Sequence, residues 1–150
     1  MRREIPMILI RVIVGWVFLI EGVLKFVLSG ELGVGRFTSI GLPRPDLLAP
    51  FVGGVEIAGG ISLLLNLYAG DAALALLAVI LTALVTTKVP ILLGKPLGPF
   101  ALAHLNHYGL LSFFHEARTD LFMLFGLVAI TIDSGIRVGR RRHWYQSKGL

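Results

Sequence analysis

Four stretches of this chain are too long and too apolar to fold in water. Ile5 to Leu28, Leu48 to Leu67, Ala72 to Leu93 and Thr119 to Ile136 each approach the 20 or so residues that an α-helix needs to cross about 30 Å of hydrocarbon. In lipid every backbone N–H and C=O must be satisfied within the protein, which leaves helices or a closed barrel. Barrel strands are about half as long and alternate in polarity, a pattern these stretches lack. The chain is therefore expected to be all-α: a single domain over residues 1–150, built as a four-transmembrane-helix bundle. Composition agrees. Charged residues make up 15% of the chain, against about 25% in soluble domains, too few to coat a surface in water.

The connections follow from turn chemistry. Ser29 to Leu47 carries Gly33-Val34-Gly35 and Gly41-Leu42-Pro43-Arg44-Pro45 and reads as a loop. Asn66 to Asp71 is a tight turn that makes the second and third helices an antiparallel pair. Pro90 should kink the end of the third span or begin to unwind it. Phe100–Phe114, with His104, Asn106, His107 and Gly109, is too polar for a crossing. A surface-lying or re-entrant helix is expected there, between the third and fourth spans. Arg2 and Arg3 before an apolar run resemble a signal peptide, but the run is long and charged, and no small-x-small site follows Leu28. It is expected to be retained.

Lys and Arg counts set the orientation. Arg2, Arg3, Arg137, Arg140, Arg141, Arg142 and Lys148 fall on one side, and Arg36, Arg44, Lys95 and Arg118 on the other. By the positive-inside rule both termini, including the basic tail 137–150, are cytoplasmic, which places the protein in the cytoplasmic (inner) membrane. The net charge of +5 then reads as a topology signal facing anionic headgroups, not as a nucleic-acid surface.

Ionisable groups inside spans are costly and usually face a bundle interior or a wet cavity. Given this orientation, Glu21 and Lys25, Glu56, Lys88, and the group Glu116, Arg118 and Asp120 all fall in one outer layer, contributed by four helices. Glu56 lies roughly 12 Å below its helix end, too deep to snorkel and without a partner on its own helix. Glu21 and Lys25 stand one turn apart and can pair directly. Two readings stay open: a near-neutral network that holds the helices together, or a site that binds a ligand and handles protons. Gly53, Gly54, Gly59 and Gly60 flank Glu56 and suit close helix packing, or else a ligand slot. Arg11 lies toward the other end and reads as an inner-interface anchor.

His104, His107 and His115, with Glu116 and Asp120, resemble loose metal-ligand material, and no metal is assigned to them. His104 and His107 could share a helical face, but His115-Glu116-Ala117-Arg118-Thr119 has Thr119 where a zinc-protease motif needs its second His. The chain has no cysteine, which removes thiolate metal sites and iron–sulfur ligation. No nucleophile triad, phosphate loop or dinucleotide fingerprint is present.

The chain resembles the DoxX family of small four-helix membrane proteins. The resemblance rests on Glu21-Gly22-x-x-Lys25-Phe26, Gly35-Arg36-Phe37, Ile40-Gly41-Leu42-Pro43 and Phe51-Val52-Gly53-x-x-Glu56-Ile57. It continues through Thr86-Thr87-Lys88-Val89-Pro90-Ile91-Leu92-Leu93-Gly94 and His115-Glu116-Ala117-Arg118-Thr119-Asp120. Three features depart from the family: the Asn66–Asp71 turn, where a basic residue is usual; Ala101–Phe114, which looks like an insertion; and the basic tail. What the resemblance implies is a redox-associated membrane role, since one namesake belongs to a thiosulfate:quinone oxidoreductase and others accompany thiol-oxidant defence complexes. On that reading Lys25, Lys88 and Arg118, with Glu116 and Asp120, would hold a quinone headgroup or similar small polar molecule. Glu21 or Glu56 would exchange protons. Electrons would come from a partner protein, since the sequence carries no cofactor motif. The expected partners are thus the bilayer, a redox protein and a second copy of the chain. The competing expectation is a non-catalytic scaffold or small-solute carrier whose charges specify assembly.

Overall fold

The computed structural model describes residues 4–147, with side-chain surroundings through residue 135. Arg2, Arg3 and Lys148, on which the orientation count partly rests, fall outside the described residues, and α6 runs on through most of the basic tail, whose side-chain surroundings are not described. The described chain is helical with no β-strand: α1 Glu4–Val27, α2 Val34–Ile40, α3 Pro45–Leu65, α4 Ala69–Ala83, a π-turn Leu84–Lys88, α5 Val89–Leu93 and α6 Leu110–Ser147. Three helical stretches among the described residues are long and apolar enough to cross a membrane: Ile5–Val27, Pro45–Leu65 and Ala69–Leu93. The expected fourth span lies within α6, which begins nine residues earlier than the predicted start at Thr119.

The segment from residue 100 to 114 differs from expectation. Residues 101–108 form no helix, and Leu110 already belongs to α6. Pro96 and Pro99 remove backbone donors, while Gly98 and Gly109 take positive φ. The Tyr108 hydroxyl donates to the Ala103 carbonyl and accepts from the Leu105 N–H, which folds the stretch into a loop. Its edges are tied to helices on either side: Ala101 N–H donates to Ile40 O of α2, and Gly109 N–H to Ile91 O of α5.

Each long helix runs antiparallel to its neighbour. Gly15 lies on Gly60 and Leu63, while Gly22 lies on Gly53 and Ile57, so α1 and α3 run in opposite directions. A Cβ on Gly22 would sit 2.7 Å from Gly53 O, and one on Gly60 2.7 Å from Gly15 O. Both helices therefore need glycine to come this close, and packing is the use the structure makes of Gly53 and Gly60. α6 pairs with α4 and the π-turn that follows it, from Lys88 beside Asp120 to Gly70 beside Ser134. The α3–α4 turn closes on Asn66 and Tyr68, both in the left-handed region. Asparagine tolerates that conformation better than most residues.

The core is a single apolar column in which Val14, Phe18, Leu63, Leu76, Leu127 and Ile130 interlock. Trp16, Phe122 and Phe125 project outward, each more than half exposed. An outer surface this apolar suits acyl chains and not water.

Candidate functional site

The α1–α3 register decides where Lys25 goes. In an α-helix Cβ points toward the N-terminus, so Lys25, near the C-terminal end of α1, leans back into the bundle. Its Cβ lies beside Gly53, where a side chain would crowd the neighbouring Phe26 ring, at 2.8 Å from Cε2. Lys25 Nζ donates to Glu56 Oε2 at 2.6 Å, with side chains 11% and 6% exposed. This replaces the direct Glu21–Lys25 pair suggested by sequence. The lysine prefers the carboxylate across the helix interface because that bond is short and sheltered. Glu21 is left exposed toward the same space, close enough to Glu56 for the two carboxylates to repel.

The second cation is aimed by a backbone irregularity. Pro90 cannot donate a hydrogen bond, and its ring crowds the carbonyl four residues before it. The chain answers with the π-turn, in which Val89 N–H donates to Leu84 O five residues back. Thr86 and Thr87 return their hydroxyls to the carbonyls of Thr82 and Ala83 at 2.8 and 2.6 Å, respectively. At the end of this turn Lys88 reaches Asp120 of α6, Nζ to Oδ2 at 3.6 Å. That is an ion pair without a direct hydrogen bond. The expected kink at Pro90 thus takes the form of a widened turn.

Between the two pairs lies a cavity of about 770 Å³. Its charged wall is formed by Glu21, Lys25, Glu56, Lys88, Glu116 and Asp120, which are six of the seven charged residues that sequence placed in one layer. A further charge, Arg36, comes from α2, as does the buried Phe37. Sequence reasoning counted Arg36 only as a loop charge; the Gly35-Arg36-Phe37 motif was the signal that could have flagged it. Glu21, Glu116 and the Arg36 guanidinium make no hydrogen bond or ion pair among the described residues. Chemically, the cavity offers one tight ion pair, one loose pair, two free carboxylates and one free guanidinium, set among apolar walls.

Other expected participants are placed elsewhere. Arg118 is exposed outside the cavity wall, its guanidinium donating to His115 O at 2.6 Å. His104, His107 and His115 are exposed, and no three His, Asp or Glu side chains among the described residues are grouped to hold a metal ion. Arg11 is buried, and its guanidinium donates to Asn66 Oδ1 in the α3–α4 turn. Sequence gave no sign of this contact, which joins residues far apart in the chain.

Comparison with known proteins bears on this arrangement. The DoxX family profile matches residues 7–89, more than half of the chain. The chain belongs to the DoxX family. The match runs from the first turns of α1 through Lys88, so it contains Lys25, Glu56 and Lys88 but stops short of Asp120. A relative in Mycobacterium tuberculosis, named only as an uncharacterized membrane protein, is 43% identical over 121 residues, covering 81% of this chain and 70% of that one. No solved structure matches. This DoxX protein is an integral membrane protein built of apolar helices.

Proposed function

We propose that this DoxX protein is a redox-associated membrane subunit whose cavity takes the headgroup of a quinone or a similar small polar molecule. On this reading α6 supplies the fourth crossing, both termini are cytoplasmic, and the cavity opens in the outer-leaflet half of the inner membrane. The observation that carries it is the cavity itself. About 770 Å³ is in the range of small-molecule sites, which pair mostly apolar walls with a few placed polar groups. Lys88 and Arg36 would donate to ligand oxygens, and Glu21 and Glu56 would pass protons. A partner protein would supply electrons.

The test is Glu56→Gln, which keeps shape and much of the hydrogen bonding but cannot ionise. Bound small molecules in gently purified protein, read by mass spectrometry of the lipid extract, are compared with the melting temperature of the same preparation. Loss of ligand from a folded protein supports the site. Full occupancy with a lowered melting temperature removes it. One observation favours the second reading, a scaffold or solute carrier: the 2.6 Å Lys25–Glu56 bond clamps α1 to α3 and would do so with nothing bound.

A further inference from the structure

The cavity has a side as well as a charged end, and that side is built differently. α3 and α4 touch where Leu76 fills the space over Gly59, a Cβ there lying 2.8 Å from Leu76 Cγ. Above this contact the cavity separates them, its walls being Phe51 and Val55 on α3 and Ala75, Ala78 and Thr82 on α4. Phe51, Ala75, Ala78 and Thr82 are exposed, so the seam is open along its flank. On α4 these residues recur at three- and four-residue steps with small side chains, forming one face. From Ala75 to Lys88 the cleft runs about 20 Å along the helix. Thr82 spends its hydroxyl on the Ala78 carbonyl. The rim is therefore apolar throughout, while the Lys25–Glu56 pair lies just inside it.

A ligand arriving from water would meet the charged end, with Arg36, Lys88 and Glu116. The flank is of no use to such a ligand, but it suits a molecule already dissolved in acyl chains. The geometry points to a lateral entrance between α3 and α4 for a membrane-dissolved amphiphile, with a neutral hydrogen-bonding head on the charged wall and a single hydrocarbon chain leaving past Ala78 into the bilayer. The wall carries Lys25, Lys88 and Arg36 against Glu21, Glu56, Glu116 and Asp120, a formal excess of one negative charge. An anionic head is disfavoured on that ground. This inference rests on the cavity being a ligand site and adds the class of ligand and its route.

The probes are decyl-hydroquinone and hydroquinone, one head with and without a chain. Binding to the protein in nanodiscs is measured under anaerobic conditions against empty discs. Ala78→Trp closes the flank, Ala58→Trp places the same bulk on an exposed position of α3 outside the cavity, and Thr82→Phe replaces Ala78→Trp should that variant fail to fold. Closing the flank is expected to weaken decyl-hydroquinone by about ten-fold or more. Hydroquinone, entering from the charged end, should change by less than about two-fold, and Ala58→Trp should alter neither. If the flank variant leaves both unchanged, or weakens both alike, the lateral entrance is wrong while the site survives. If decyl-hydroquinone shows no saturable binding above empty discs, or binding that Glu56→Gln leaves untouched, the cavity reading itself falls.

Discussion

Removing either end of the Lys25–Glu56 bond should cost more than removing both ends would suggest. Lys25→Met leaves the Glu56 carboxylate, 6% exposed, without its cation. Stranding one member of a buried pair costs about 3–5 kcal/mol. Glu56→Gln keeps an acceptor for the ammonium but removes the countercharge, a loss of about 1–3 kcal/mol. In the double variant no buried charge is stranded, so the two losses should not add. Polar pairs in membranes couple by about 0.6 kcal/mol on average and about 1.7 at most, while hydrogen bonds to charged groups reach about 1.5–3. A bond of 2.6 Å between side chains this sheltered belongs at the upper end, so a coupling of about 1.5 kcal/mol or more is expected. Reversible unfolding in mixed micelles of rising dodecyl sulfate fraction, followed by circular dichroism, gives the four free energies. The matching cycle of Glu21→Gln with Lys25→Met should show no more than the roughly 0.5 kcal/mol of a helical i,i+4 pair. A Lys25–Glu56 coupling below about 0.5 kcal/mol, or a larger one for Glu21, would refute the pairing.

Three further outcomes follow from the packing. Gly60→Val should cost more than about 2 kcal/mol, because its side chain meets the α1 backbone. Gly54→Ala, whose Cβ would meet nothing within 4 Å, should be neutral or slightly stabilising in the same unfolding assay. Asn66→Gly keeps the left-handed turn but deletes the acceptor for buried Arg11. It should therefore destabilise by about 1–3 kcal/mol, although glycine is the better residue for that backbone. Reporter fusions after Arg142 and near Asn66 should read cytoplasmic, and those near Thr38 and Leu110 external; an external Arg142 would invert the proposed topology.

Hydrophobic length made the helices readable, since a stretch that matches the bilayer needs no knowledge of its neighbours. The charged layer was readable for a related reason: depth along a helix follows from residue count and direction. Pairing within that layer was not. Whether Lys25 meets Glu21 or Glu56 depends on the rotation and register of α1 against α3, which Gly15, Gly22, Gly53 and Gly60 set through backbone contact. Counting along one helix favours the partner on that helix. Arg36 escaped because α2 is a single short amphipathic helix of seven residues, too brief for periodicity to separate from a loop. Arg118 misled for the opposite reason. It lies on α6 close in sequence to Glu116 and Asp120, but its rotation about the helix carries it away from the cavity to the nearby His115 carbonyl.

A widened helical turn is also a matter of arithmetic. The π-turn at Leu84–Lys88 stores about one residue more than an α-helical turn would use. Rewinding it as regular α-helix with no residue removed would swing everything beyond by about 100°. Lys88 would then no longer face Asp120, even with every residue type retained. What aims this lysine is thus the winding of the turn that carries it, which absorbs one extra residue. A relative one residue shorter here, wound as plain α-helix, would still bring the equivalent side chain to Asp120, so the gap between two such chains belongs inside this turn and not after it.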